Sequence, residues 1–457
     1  MKLKLLFAAL SIFIGLNIQA QDILGFWNGK ADVLGQKLRI EFDLKKTESG
    51  IGGICRSPDQ GNGEMEITDG YFRNDSLFLE VESIRLSFSG KYGADLNNFV
   101  GSLNQMGATY PIVLQREPLE ASKPKRPQTP KEPYSFDETE IRIPNQLGYE
   151  LVGNLAIPKG EMNSVVILIS GSGPQDRNSD ILGHQLFLVW AEELAKHGIG
   201  SFRYDERGVG ASGGNFNAAT SIDLAQDVLD IRNALKKREE LKDLPIGLMG
   251  HSEGGLIVAI CASQDKDIDF VISLAGLGQS GREVLVAQNG DIPLAEGMTE
   301  EGARKQQARI ESFADIVTSE MDSLAMNEKI AEVVRSVEAD SQEVDALIEN
   351  YIRSMNTPWM REFLKIDARD YWSKVDCPVL AINGTKDTQV EGGANLRAIE
   401  FSLRRNKNTK YRMVSLKDHN HLLQETANGA PSLYGKLEQS VSPLAMSVVW
   451  EWINELS

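Results

Sequence analysis

The stretch L-P-I-G-L-M-G-H-S-E-G-G, residues 244–255, decides how this chain is read. Its opening, Leu244–Met249, is an apolar run of strand length, and a helical pattern runs from Gly255 to Ser263. Between them lies Gly250-His251-Ser252-Glu253-Gly254, a G-x-S-x-G pentapeptide set between a strand and a helix. The glycines have a steric reason. Side chains two residues to either side of the serine would collide where strand and helix meet. Ser252 is therefore the candidate nucleophile.

A serine hydroxyl attacks poorly at neutral pH and needs a base, which in turn needs an acid to orient it. On strand–turn–helix scaffolds the order along the chain is serine, acid, histidine. The chain has 5 histidines, and only His419 and His421 follow a nucleophile at Ser252 with room for an acid between. Both lie in K-D-H-N-H-L-L, residues 417–423. His421 is the favoured base, because the two leucines after it can enter the core and fix the ring. His419 is the alternative. A metal reading of the H-x-H pair lacks a third ligand. The favoured acid is Asp387, at the end of the strand and Gly turn Ala381–Asp387, with Asp418 in reserve. Asp376 precedes that strand and so falls at the wrong end of the sheet. For the oxyanion, the backbone N–H of Glu253 is one donor. The second should come from the glycine-containing loop Ser170–Arg177, at Ser172 or Gly173. In Tyr204–Ser212 the glycines make a tight loop, and Asp205 with Arg207 is expected to form a supporting ion pair. That loop lacks the Lys-Ser/Thr ending of a phosphate cradle.

Strand and helix patterns alternate on both sides of residues 244–255. Thr139–Ile143 and Tyr149–Ile157 read as a hairpin, and Ser164–Ser170, Gly200–Tyr204, Phe270–Leu274, Val379–Ile382 and Tyr411–Ser415 as strands. His184–His197, Leu224–Leu241 and Ser442–Leu456 read as helices. Such alternation means a mostly parallel sheet covered on both faces. Residues 278–365 break the rhythm with helical patterns alone, as expected of a cap over the site. Upstream, residues 21–116 read as a small all-β domain, with strands at Leu38–Leu44, Ser76–Val81, Ile84–Ser89 and Tyr110–Leu114. Residues 117–135 carry Pro118, Pro124, Pro127, Pro130 and Pro133 among Lys and Glu, the composition of a stiff, solvated linker.

Residues 1–20 place Lys2 and Lys4 before an apolar run, Leu5–Leu16, and end in a polar stretch at Ala20. That order is a secretory signal, and the run is too short to span a bilayer. The protein is therefore expected to be exported, periplasmic or secreted. The remainder has no apolar run long enough for a membrane segment. A net charge of −17 over 457 residues argues against a nucleic-acid partner. The 3 cysteines, Cys55, Cys261 and Cys377, do not make a disulfide framework.

Taken together, I-S-G-S-G-P-Q-D-R-N (169–178), R-Y-D-E-R-G-V-G-A-S (203–212), G-H-S-E-G-G (250–255), C-P-V-L-A-I-N-G-T-K-D-T-Q-V (377–390) and N-H-L-L-Q (420–424) resemble the serine aminopeptidase-like branch of the α/β-hydrolase superfamily. The likeness is greatest to exported bacterial carboxylesterases. It covers residues 136–457 and implies an α/β-hydrolase fold with the triad Ser252, Asp387 and His421. It also implies an oxyanion loop at Gly171–Pro174. The S-G-P turn departs from the H-G-G-G type of oxyanion loop, so the second donor stays open between Ser172 and Gly173. The expected activity is hydrolysis of short or medium acyl esters, with a small-molecule ester as partner and no metal or organic cofactor. A homodimer is an open option. Two rivals stand: a peptidase or amidase using the same triad, and a ligand-binding protein whose hydrolase domain is inactive.

Overall fold

The computed structural model describes residues 23–33, 36–47, 50–59, 64–93, 97–105, 108–116, 125–337 and 344–456. The signal expected at residues 1–20 and the first part of the Pro-rich stretch, 117–124, lie outside the described residues. The chain divides into two compact units between Ala121 and Ser122.

The first unit is one 9-stranded antiparallel sheet. Its strands are β1 (Gly25–Val33), β2 (Gln36–Lys46), β3 (Ile51–Arg56), β4 (Met65–Ile67), β5 (Asp69–Arg73), β6 (Ser76–Val81), β7 (Leu86–Gly93), β8 (Asn98–Gln105) and β9 (Ala108–Gln115). The spatial order is β4-β3-β2-β1-β9-β8-β7-β6-β5, so the two edge strands are consecutive in sequence. The backbone of Gly70 in β5 packs against the Ile51 carbonyl of β3, which curls the sheet until its edges meet. Alternation turns one face inward: Phe42 and Leu44 from β2, Leu77, Leu79 and Val81 from β6, and Phe88 from β7 are all buried. Trp27 and Phe99 pack with ring centroids 4.7 Å apart, so side chains fill the interior.

The second unit is built on an 8-stranded sheet. In chain order its elements are β10 (Phe136–Pro144), β11 (Glu150–Pro158), β12 (Ser164–Ile169), the short pair β13 (Asp180–Ile181) and β14 (His184–Gln185), α1 (Leu186–Lys196), β15 (Ile199–Tyr204), α2 (Ser221–Lys236), β16 (Ile246–His251), α3 (Glu253–Gln264) and β17 (Val271–Leu274). There follow α4 (Gly281–Ala295), α5 (Glu300–Thr318), α6 (Ser323–Val337), α7 (Val344–Met355), α8 (Pro358–Phe363), α9 (Ala368–Trp372), β18 (Val379–Gly384), α10 (Gly392–Arg405), β19 (Tyr411–Leu416) and α11 (Pro443–Leu456). The sheet order is β10-β11-β15-β12-β16-β17-β18-β19. β10, β11 and β15 pair antiparallel, and every other pairing is parallel.

Every residue of β12, β15, β16, β17 and β18 is buried, which is why a strand such as β12 reads as an unbroken apolar run. Successive residues of β12 serve opposite faces. Val165, Ile167 and Ile169 join the core under α2, α3, α9 and α10, whereas Val166 and Leu168 join the core under α1 and α11. Full burial of each such aliphatic side chain contributes about 1.5–3 kcal/mol. The helices α4–α8 fill the gap between β17 and α9 and share a core of their own around Phe313, Val317, Ile330, Val334 and Met355. This is an α/β-hydrolase fold preceded by a separate all-β unit.

The second part of the Pro-rich stretch is not a solvated spacer. Arg126 donates to the carbonyls of Leu182, Gly435 and Leu437, and Gln128 Oε1 accepts from Ser440 N. Ser135 Oγ donates to Glu192 at 2.6 Å. Residues 125–135 are therefore a strap docked on the second unit, because Arg126 and Gln128 find backbone partners there. Among the described residues, no helix is long and apolar enough to cross a membrane.

Candidate active site

The carboxyl ends of β12, β16, β18 and β19 converge on one edge of the sheet, and the expected site residues sit on the turns that leave them. Ser252 lies between the last residue of β16 and the first of α3, with φ 57° and ψ −119°. A non-glycine residue in that region is strained by about 1–3 kcal/mol and persists only where its surroundings enforce it. Here they do. Ser252 N–H donates to Leu274 O at 2.9 Å. A side chain on Gly250 would collide with the Gly254 carbonyl, and one on Gly254 with the Ile169 carbonyl. The pentapeptide glycines thus let strand, helix and the neighbouring β12 approach one another.

His421 follows β19 and is 3% exposed, and its Nδ1 lies 2.8 Å from Asp387 Oδ2. The Asp387 carboxylate is aimed by two backbone donors: Oδ1 accepts from Gln389 N and Val390 N, each at 2.9 Å. Leu422 and Leu423 are both buried in the core beneath α11 and anchor the loop behind His421. His419 goes elsewhere. Its Nδ1 bonds the Lys417 carbonyl at 2.7 Å, and its buried Nε2 has no partner. Asp418, the reserve acid, is exposed and 3.9 Å from Lys417. Among the described residues no hydrogen bond joins Ser252 to His421. The two are tied through His251, whose Nε2 lies 2.8 Å from the His421 carbonyl. Burial, reinforced by the neighbouring His421, pushes the His251 pKa down to about 3, so its ring is neutral.

The loop Ser170–Arg177 passes directly beside the nucleophile: a Cβ on Gly171 would sit 3.0 Å from that of Ser252. Ser172 is exposed, Gly173 has φ 94°, and neither N–H donates to an acceptor among the described residues. Glu253 is the first residue of α3, so its N–H also lacks an intrahelical acceptor. The three amides are unengaged near one serine.

Some of the surroundings escaped the sequence. The expected ion pair between Asp205 and Arg207 is absent. Arg177 Nη2 instead bonds Asp205 at 2.7 Å, and Arg207 Nε bonds Asp227 at 2.6 Å. Neighbouring residues on a turn face apart, and each finds its counterion on another element. The Glu253 side chain, which has only 2% exposure, accepts from Ser221 Oγ at 2.6 Å and from Trp359 Nε1 of α8 at 2.7 Å. The residue after Ser252 therefore ties the α4–α8 helices to the elbow. Beneath the His421 loop, His184 bonds Ser440 Oγ and the Tyr434 carbonyl, both at 2.9 Å. Burial lowers its pKa to about 4. A cavity of about 500 Å³ opens beside Asp387, with Asp291, Glu391 and Lys386 on its wall. Burial, then Glu391 and Asp387, raises the pKa of Asp291. Among the described residues no group of His, Cys, Asp and Glu is placed to hold a metal ion.

The family described as "Serine aminopeptidase, S33" matches residues 184–421, over half of the chain, a span that includes Ser252, Asp387 and His421. The chain is 28% identical over 158 residues to the esterase EstD of Thermotoga maritima, a match that covers 34% of this chain and 36% of EstD. The match therefore spans only about a third of that relative's length. Among solved structures, the Pyrococcus furiosus esterase Pf2001 is similar at 18% identity and a TM-score of 0.41, over 71% of this chain and 94% of that one. Est1E from Butyrivibrio proteoclasticus, solved with ferulic acid bound, is similar at 20% identity and a TM-score of 0.41, over 69% of this chain and 98% of that one.

Proposed function

The chain belongs to the serine aminopeptidase, S33 family, and from that premise we propose that it is a carboxylesterase of short or medium acyl esters, working by acyl transfer through Ser252. The observation that carries this reading is the strained Ser252 turn, tied through His251 to the loop whose imidazole is bonded to a buried carboxylate at 2.8 Å. His421 Nε2 takes the Ser252 proton as Oγ attacks the ester carbonyl carbon. The oxyanion is received by the Glu253 N–H and by that of Ser172 or Gly173. Collapse expels the alcohol, which leaves with the proton from His421. Water, deprotonated by His421, then attacks the acyl-enzyme; the acid departs and Ser252 regains its proton. Asp387 holds the Nδ1–H tautomer and stabilises the imidazolium. In such sites the bond between serine and histidine is commonly long until substrate arrives. Partial likeness to a named esterase supports the choice of ester over amide.

Purified protein should hydrolyse p-nitrophenyl esters from acetate to octanoate, and Ser252→Ala should lower kcat on the order of a millionfold. Retention of activity by that variant would overturn the assignment. The rival reading is an amidase that uses the same triad. Aminoacyl p-nitroanilides turned over faster than p-nitrophenyl esters would establish it. The protein is further proposed to be exported, on the Lys2–Ala20 pattern. Cell fractionation followed by N-terminal sequencing tests this, and a cytoplasmic chain retaining Met1 or Lys2 would contradict it.

A further inference from the structure

Glu206 stands immediately after Tyr204-Asp205 at the end of β15, with 2% exposure. Its flanking charges are otherwise engaged, Asp205 with Arg177 and Arg207 with Asp227. Among the described residues no Lys, Arg or His forms an ion pair with it. Its partners lie on the loop that leaves β12. The carboxyl Oε2 accepts the N–H of Gln175 at 2.8 Å, and Glu206 N–H donates to Gln175 O at 3.2 Å. Ser170 and Gln175 are the two ends of the turn that carries Ser172 and Gly173. The start of that turn also touches the elbow, since a side chain on Gly254 would meet the Ser170 carbonyl. Glu206 therefore holds one end of the loop beside Ser252, and packing against Gly254 holds the other.

We propose that Glu206 is a positioning residue that clamps the Gln175 end of Ser170–Gln175 and so sets the second oxyanion donor against Ser252. The proposal rests on the acyl-transfer reading above. Its second consequence is a pH dependence. The groups facing Glu206 are Glu253 of α3, Asp227 of α2 and the buried Tyr204 hydroxyl, and burial without a cation raises its pKa to about 8, with Glu253 and Asp227 adding to the effect. The clamp is thus a neutral carboxylic acid at pH 7. Ionisation buries an unpaired charge next to Glu253, which is relieved by opening the loop to water.

The test compares the wild type with Glu206→Gln and Glu206→Ala on p-nitrophenyl acetate between pH 6 and 9.5. Glu206→Gln keeps an acceptor and cannot ionise. It should retain kcat within about threefold at pH 7 and lack the fall in kcat expected of the wild type near pH 8. Glu206→Ala should lower kcat on the order of 10- to 100-fold with KM little changed, the scale of a misplaced oxyanion donor. Hydrogen exchange at the Gln175 amide reads the clamp independently of any reaction, slow in the wild type and Gln variant and fast in the Ala variant. Full kcat in Glu206→Ala, or a Gln variant as impaired as the Ala variant, overturns the proposal. A wild type that is inactive on every ester but shows the expected exchange pattern would overturn the acyl-transfer reading and leave the clamp standing.

Discussion

At the scale of single residues, the site is a set of local constraints placed on a few polar atoms. Asp387 illustrates the division of labour: its Oδ1 is held by two backbone N–H groups, which leaves Oδ2 free for His421. Replacing it by Asn preserves shape but offers His421 the wrong hydrogen-bond partner and tautomer. Asp387→Asn should lower kcat on the order of 10⁴-fold with an unchanged circular dichroism spectrum. A loss of less than tenfold would remove Asp387 from the mechanism. Ser252 was legible in the sequence because its two glycines answer a steric demand that strand–turn–helix geometry makes visible. The pairing of His421 with Asp387 was legible from chain order and from the scarcity of histidine. Glu206 was not, since nothing in D-E-R says which of three consecutive charges is buried without a counterion. The same blindness paired Asp205 with Arg207, when their partners, Arg177 and Asp227, come from distant segments.

At the scale of elements, the strands at the centre of the second unit were the easiest to read. Burial on both faces leaves no polar position in runs such as Val165–Ile169. Helix ends were harder. α2 begins at Ser221 rather than Leu224, because Thr220 and Asp223 form a reciprocal capping box ahead of the apolar pattern. In the first unit β1, β3, β4, β5 and β8 were not named in advance; in β3, Gly52 and Gly53 interrupt the alternation that marks a half-buried strand. One buried pair joins elements directly: Arg207, after β15, meets Asp227 in α2, whose carboxylate also accepts from Asn145 at 2.6 Å and from Tyr149 at 3.2 Å. Arg207→Ala strands that carboxylate and should destabilise the second unit by about 3–5 kcal/mol in a urea titration. A change below 1 kcal/mol would mean that α2 is held without the pair.

For the molecule as a whole, three buried titrating groups shape stability against pH. His184 and His251 have pKa values lowered to about 4 and about 3 from 6.5, so the unfolded chain takes up their protons first. Their contribution is complete above about pH 6.5 and is lost as pH falls towards 4 and 3. Glu206 acts in the opposite sense. With its pKa raised from 4.5 to about 8, its contribution is complete below pH 4.5 and is lost as pH rises towards 8. Melting temperatures across pH 3–9 should therefore decline at both ends. His184→Gln should flatten the acid limb and Glu206→Gln the alkaline one, and unaltered limbs would contradict the assignment of these groups. Covalent capture tests whether Ser252 is the nucleophile. The protein is treated with a fluorophosphonate at neutral pH, its intact mass is measured, and the adduct is mapped by peptide sequencing. One adduct per chain is expected, on Ser252, and none in Ser252→Ala; an unlabelled wild type, or an adduct that persists in the variant, would rule out Ser252 as the nucleophile.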